Sequence, residues 1–191
     1  MTPNLSFLLL DSAVIAGRAE DPFLLGSAPW THARLLEEVA ALGGVLRHLG
    51  VEPGVTVPVR MAGEHDLEAV VVALAVARIG GVVTREVDPA APVVVTSASE
   101  PAPAAVEVPG ADDGVGGQVR LVRAAPGEQA AEPDLDWGVM LRAGRTDPAA
   151  AAVLDPGSAY APGTTLAAQL EAVAATRAPY VPAELRRLLQ V

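Results

Sequence analysis

The sequence predicts an α/β fold, a layered sheet with helices packed against it, and three stretches carry that prediction. VTVPVRM (55–61) alternates Val55, Val57, Val59 and Met61 with Thr56, Pro58 and Arg60, the period of a half-buried strand. EHDLEAVVVALAVARIG (64–80) is a helix, apolar nearly all round between Ala69 and Ala77. Glu64, Asp66 and Glu68 lie in its first turn, Arg78 in its last and Gly80 beyond, charges that suit the helix dipole. A helix of that kind is buried between layers. Short apolar runs at Val82–Thr84 and Val93–Thr96 follow, and the order strand, helix, strand, strand favours an α/β sheet.

The remaining elements follow in chain order. From Leu5 to about Ala16, Leu5, Leu8, Leu9 and Val14 alternate with Ser6, Asp11 and Ser12, the pattern of a helix packing one face inward. Residues 23–25, closed by Gly26, suit a short strand. Thr31 is placed to cap a second helix, in which Leu35, Val39, Leu42, Leu46 and Leu49 form one stripe and Gly50 supplies the stop. Pro58 cannot donate to a ladder, which puts its strand near a sheet edge. Between Ser97 and Asp134 the composition shifts to Pro, Gly, Ala and acids, with strands expected only at Val106–Val108 and Val119–Val122. WGVMLR (137–142) reads as another strand; Thr164 and Thr165 start a helix through Thr176, and Pro182 begins the last.

Composition narrows the function. With 191 residues and 51% of them hydrophobic, the chain supports one core, so residues 1–191 are expected to form a single α/β domain containing a loop-rich segment at 97–135. The longest apolar run, Ala69–Ala77, is far short of the roughly 20 residues that cross a bilayer. NLSFLLLDSAVIAG has no basic residue ahead of it and carries Asp11, so it fails as a signal peptide, and a soluble, cytoplasmic protein is expected. The absence of cysteine rules out a thiolate nucleophile or a Cys-ligated zinc. A net charge of -10 disfavours nucleic acid and anionic membrane surfaces as partners. All 13 basic residues are arginine, so no step needing a lysine ammonium can be performed by this chain alone.

Two stretches resemble a known family. WTHARLLEEVAALGGVLRHLGVEPGVTVPV is similar to the opening of the adenylate-forming superfamily, the AMP-binding acyl-CoA and aryl-CoA synthetases, where a helix leads through an L-G-V-x-P-G-D turn into a strand. ARIGGVVTREVDP looks like that family's A-G-G-A-Y-V-P-I-D-P stretch, with Gly80, Gly81, Asp88 and Pro89 matching and one residue inserted. Gly54 fits the turn, but Val55 stands where the family has Asp, and the helix that normally follows the D-P pair is missing before PAAPVVVT. The matches cover about residues 5 to 96 and imply the fold of an N-terminal lobe.

The resemblance also gives RAGRTDPAAAAV (142–153) a context. In the family a strand beginning D-x-A-x-x-x-Y leads into T-S-G-T-T-G-x-P-K-G-V, a loop that cradles ATP phosphates with backbone N–H groups, hydroxyls and a lysine. Here Asp136 and WGVML lead into a loop where Gly144, Thr146, Pro148 and Val153 match, Ala143 and Arg145 replace Ser and Thr, and the lysine falls near Ala149 or Ala150. Each lost charge-assisted hydrogen bond costs about 1.5–3 kcal/mol. The family's adenine-binding Y-G-x-T-E, its ribose-binding Asp and its C-terminal domain with a catalytic lysine find no counterpart in these 191 residues, so the resemblance implies a shortened, degenerate lobe.

The candidate site is therefore the degenerate phosphate loop, Arg142, Gly144, Arg145 and Thr146, set against the plainer reading of an Asp-Pro turn with solvated arginines. No catalytic residue and no cofactor is expected, and ATP or AMP is disfavoured. Glu64, His65, Asp66 and Glu68 point in different directions on a helix and are explained by its dipole rather than by a metal. His32 and His48 read as surface or half-buried structural residues, since no G-x-S-x-G accompanies them. The expected function is non-catalytic, a binding or protein-interaction module that associates with itself, a partner protein, or an acyl or carrier-linked small molecule. The alternative is an acyl-activating, AMP-forming ligase subunit completed by a partner chain.

Overall fold

The computed structural model describes residues 4–26, 28–100, 118–125 and 127–191. Its centre is a five-stranded parallel sheet in the order β4-β3-β5-β6-β7. The strands are β3 (Thr56–Arg60), β4 (Val82–Thr84), β5 (Val93–Ser97), β6 (Val119–Arg123) and β7 (Leu135–Asp136). β3 and β4 are joined through α3 (Asp66–Ile79), as a parallel pair requires. Every residue of β4 and β5 is buried, the near-continuous apolar run of a strand covered on both faces. The strand expected at Val106–Val108 lies outside the described residues.

α3 is buried at every position from Ala69 to Ile79, including Arg78. It ends at Gly80, whose φ of 83° is open to glycine without strain. α2 (His32–His48) packs along α3 and is capped by Thr31, whose hydroxyl accepts from the Arg34 amide. Its buried stripe, Leu35, Val39, Leu42 and Leu46, joins the Val59 side of β3 and the inner face of α3 in one cluster of buried apolar residues. Ahead of it come a π-helical turn, Phe7–Asp11, continuing into α1 (Ser12–Ile15), and the antiparallel pair β1 (Pro22–Leu24) and β2 (Trp30–Thr31). A second small hairpin, β8 (Ala159–Ala161) with β9 (Thr164–Thr165), precedes α5 (Leu166–Ala174) and α6 (Pro182–Leu188).

One sequence expectation holds and one is corrected. β3 lies near the sheet edge as its proline requires, second in the order between the edge strand β4 and β5. The proline is tolerated because the ladder to β4 runs through Thr56–Pro58 and the ladder to β5 begins only at Val59, so Pro58 sits where pairing passes from one neighbour to the other. The stretch WGVMLR is not a strand. The strand stops at Asp136, and Trp137–Gly144 forms helix α4. Asp136 caps it by accepting from the Val139 amide at 2.9 Å, and Trp137, Leu141 and Gly144 bury one side of it against α2.

Candidate functional site

Helix α4 decides what the suspected phosphate loop is. Gly144 lies in its last turn, tight against α2: a Cβ there would overlap the Ala41 carbonyl oxygen and come within 2.8 Å of Val45 Cγ2. Gly44 of α2 faces the Asp147 carbonyl just as closely. These glycines let two backbones touch. Thr146 donates its hydroxyl back to the Ala143 carbonyl at 2.7 Å, and the Arg145 and Asp147 amides donate to Leu141 and Gly144, so the amides and the hydroxyl of this turn are already spent.

The alanine run that follows is equally engaged. The Ala149 amide donates to the Ala40 carbonyl (2.8 Å), its carbonyl accepts from Arg78 Nε (2.6 Å), and the Ala152 amide donates to the Arg78 carbonyl (2.7 Å). Arg78, 6% exposed, also donates to both oxygens of Asp11 at 2.8 and 3.0 Å. Asn4 adds hydrogen bonds to the carbonyls of Ala77, Arg78 and Ala152. The segment 147–152 thus staples α2, the end of α3 and the N-terminal helical segment together. Asp147 itself takes hydrogen bonds and charge from Arg47 and His48, and the Arg47 hydrogen bond above all holds its carboxyl below the usual range.

Of the four suspected residues, Arg142 and Arg145 open onto a common space while Gly144 and Thr146 do not. That space is a cleft of about 430 Å³ outside the carboxyl ends of β6 and β7, where α/β sheets commonly bind ligands. Its walls are apolar, from Leu67 and Val71 of α3, Trp137 and Leu141 of α4, and Trp30 of β2. The Arg34 guanidinium lies over the Trp30 ring, 4.0 Å from its centre. Arg145 pairs with Glu38, and Arg123 with Glu68 at 3.0 Å. Arg142 makes no hydrogen bond or ion pair among the described residues. Sequence reasoning found the two arginines but missed the cleft, whose walls come from segments with no motif in common.

The acids of 64–68 part company as expected of a helix start: Glu64 accepts from Ser99, Asp66 pairs with Arg186 and Glu68 with Arg123. Arg186 of α6 also donates to the carbonyls of Met61 and Ala62, just beyond the end of β3. His48 lies at the surface, whereas His32 is more deeply buried than its sequence context suggested, 4% exposed. Burial lowers the His32 pKa; its Nδ1 lies 3.2 Å from the Leu9 carbonyl and its ring meets Phe23 edge-on. No helix among the described residues is long and apolar enough to cross a membrane.

No family model and no curated protein matches the sequence. Solved structures do match in fold. The chain is similar to an acyl-CoA synthetase from Brucella canis (18% identity, TM-score 0.59), which it covers over 83% of its own length and 30% of the other's. It is similar to the anthranilate CoA ligase AuaEII in complex with anthranoyl-AMP (16%, TM-score 0.56, 82% of this chain and 31% of that one). It is also similar to an acetoacetyl-CoA synthetase from Streptomyces lividans (23%, TM-score 0.52, 72% and 25%). The chain spans less than a third of the length of each. In fold the chain is similar to a part of these acyl-CoA synthetase and CoA ligase structures.

Proposed function

We propose that this chain is a non-adenylating relative of the AMP-forming synthetases that acts as a binding or interaction module. One observation carries the reading: the stretch that resembles the family's phosphate loop is the end of helix α4, with its amides hydrogen-bonded internally, Gly144 wedged against α2 and the alanine run tied to Arg78. A triphosphate would have to break those bonds before it could be held, without a lysine to offset its charge. Phe7, Leu8 and Ile15 leave apolar side chains at the surface of the first helical segment, which supports association with a second copy or a partner protein.

ATP–pyrophosphate exchange tests the reading. Assayed with acetate, octanoate, benzoate and anthranilate, the isolated chain is expected to give no exchange above the rate without enzyme. Exchange by the chain alone would overturn the proposal. Exchange that appears only when a second polypeptide is added would establish instead a ligase subunit completed by a partner.

A further inference from the structure

We infer that a second cavity, between the N-terminal helical segment, β1, the start of α2 and the end of α5, binds a phenol, with its ring against Leu9, Phe23 and Val173 and its O–H donated to His32 Nε2. The phenol is a small-molecule ligand for the binding module proposed above, and its assignment rests on that reading. The cavity shares no lining residue with the cleft at Arg142 and measures about 480 Å³, within the range of pockets that hold small organic ligands. Its floor is apolar and fixed: Leu9, Phe23, Val173 and Tyr180 are each less than a tenth exposed. Phe23 meets the rings of His32 and Tyr180 edge-on, with centres 4.9 and 5.3 Å apart, so one wall is an aromatic cluster.

One hydrogen-bonding atom stands open against that floor. A carbonyl oxygen can only accept, so the His32 Nδ1 that lies 3.2 Å from the Leu9 carbonyl carries the proton of the neutral ring, and Nε2 keeps a bare lone pair. Nε2 has no partner among the described residues, yet it is not sealed off, since Arg120 Nε is the one fully buried side-chain nitrogen or oxygen left unpaired among them. The lone pair therefore opens on the cavity that His32 lines. Neighbouring hydroxyls offer no donor of their own. Thr176 donates to the Val173 carbonyl at 2.7 Å, so its oxygen takes the proton of the Tyr180 hydroxyl, 3.1 Å away.

Charge narrows the ligand. Arg18 and Arg177 line the cavity and, among the described residues, no carboxylate does, so an ammonium donor is repelled. Burial lowers the His32 pKa by more than the Leu9 carbonyl raises it, and Arg18 acts with burial, which keeps the ring a neutral acceptor at neutral pH. A carboxylate would set its lone pairs against that of Nε2. A phenol brings a more acidic O–H than an alcohol, and the negative charge that gathers on its oxygen is favoured by the two guanidiniums.

Calorimetric titration with 4-methylphenol is expected to give saturable one-to-one binding. Both 4-methylanisole, which keeps the body and lacks the O–H, and 4-methylbenzoate should bind at least about tenfold more weakly. H32F keeps a ring and removes the acceptor, so it should weaken 4-methylphenol by about tenfold or more and leave 4-methylanisole unchanged. A readout on the parent chain covers the case in which that variant fails to fold. With nitrogen-15 in the three histidines, 4-methylphenol should move the Nε2 resonance of His32 toward that of a hydrogen-bonded nitrogen, and 4-methylanisole should not. H48Q and H65Q assign the signal. No saturable binding of 4-methylphenol, equal binding of 4-methylanisole or 4-methylbenzoate, or an unmoved His32 resonance at saturation would each overturn the inference. The titration contains no nucleotide, so it can fail while the exchange assay still gives no turnover, and the reverse.

Discussion

Gly144→Ala is expected to cost about 3 kcal/mol of stability, lowering the melting temperature by about 6–12 °C. The reason is geometric. A methyl at position 144 would overlap the Ala41 carbonyl, and Ala41 is fixed in the middle of α2, where every residue from Val39 to Leu46 is buried. Only a separation of α2 and α4 could make room, and that would open the core at Val45 and Leu141. In an open ligand-binding loop the same substitution would be nearly neutral in the absence of ligand. Thermal melts of the parent and the variant therefore distinguish a helix crossing from a cradle, and a shift below about 2 °C would contradict the packing described.

Arg78→Met is the second large effect, about 3–5 kcal/mol, read by denaturant unfolding. The methionine can fill the volume but leaves the Asp11 carboxylate, 16% exposed at its side chain, without its cation, and the Ala149 carbonyl without the Nε donor. Breaking one side of a buried ion pair exceeds the value of the pair itself, because the remaining charge stays desolvated. The double variant D11N/R78M removes that orphaned charge and should recover part of the loss. Additive losses in the double variant would show that Arg78 and Asp11 do not act as a pair.

Much of the architecture was legible in the residues. The all-apolar middle of α3 with acids ahead and Arg78 behind, the Val runs of β4 and β5, and the caps at Thr31 and Gly80 each state one local preference that the packed structure satisfies. Trp137 to Leu141 did not. W-G-V-M-L satisfies a strand by its apolar, β-prone composition, and a helix by Asp136 at the cap and by the spacing Trp137, Leu141, Gly144. Contact with α2 decides between them, and contacts between distant segments are not written in a five-residue window. The same limit hid the cleft. Its arginines could be read, but Trp30, Val71 and Trp137 become neighbours only once β2, α3 and α4 are assembled. The role of the alanines was hidden differently: Ala149 and Ala152 bond through their backbones, which leaves no trace in side-chain chemistry.

The stretch that resembles a triphosphate cradle is a closed helix end followed by a stapled loop. Calorimetric titration of the purified chain with ATP and magnesium tests whether it holds nucleotide. The structure as described predicts no saturable heat up to millimolar nucleotide. A one-to-one isotherm in the micromolar range, lost on Arg145→Ala, would contradict it.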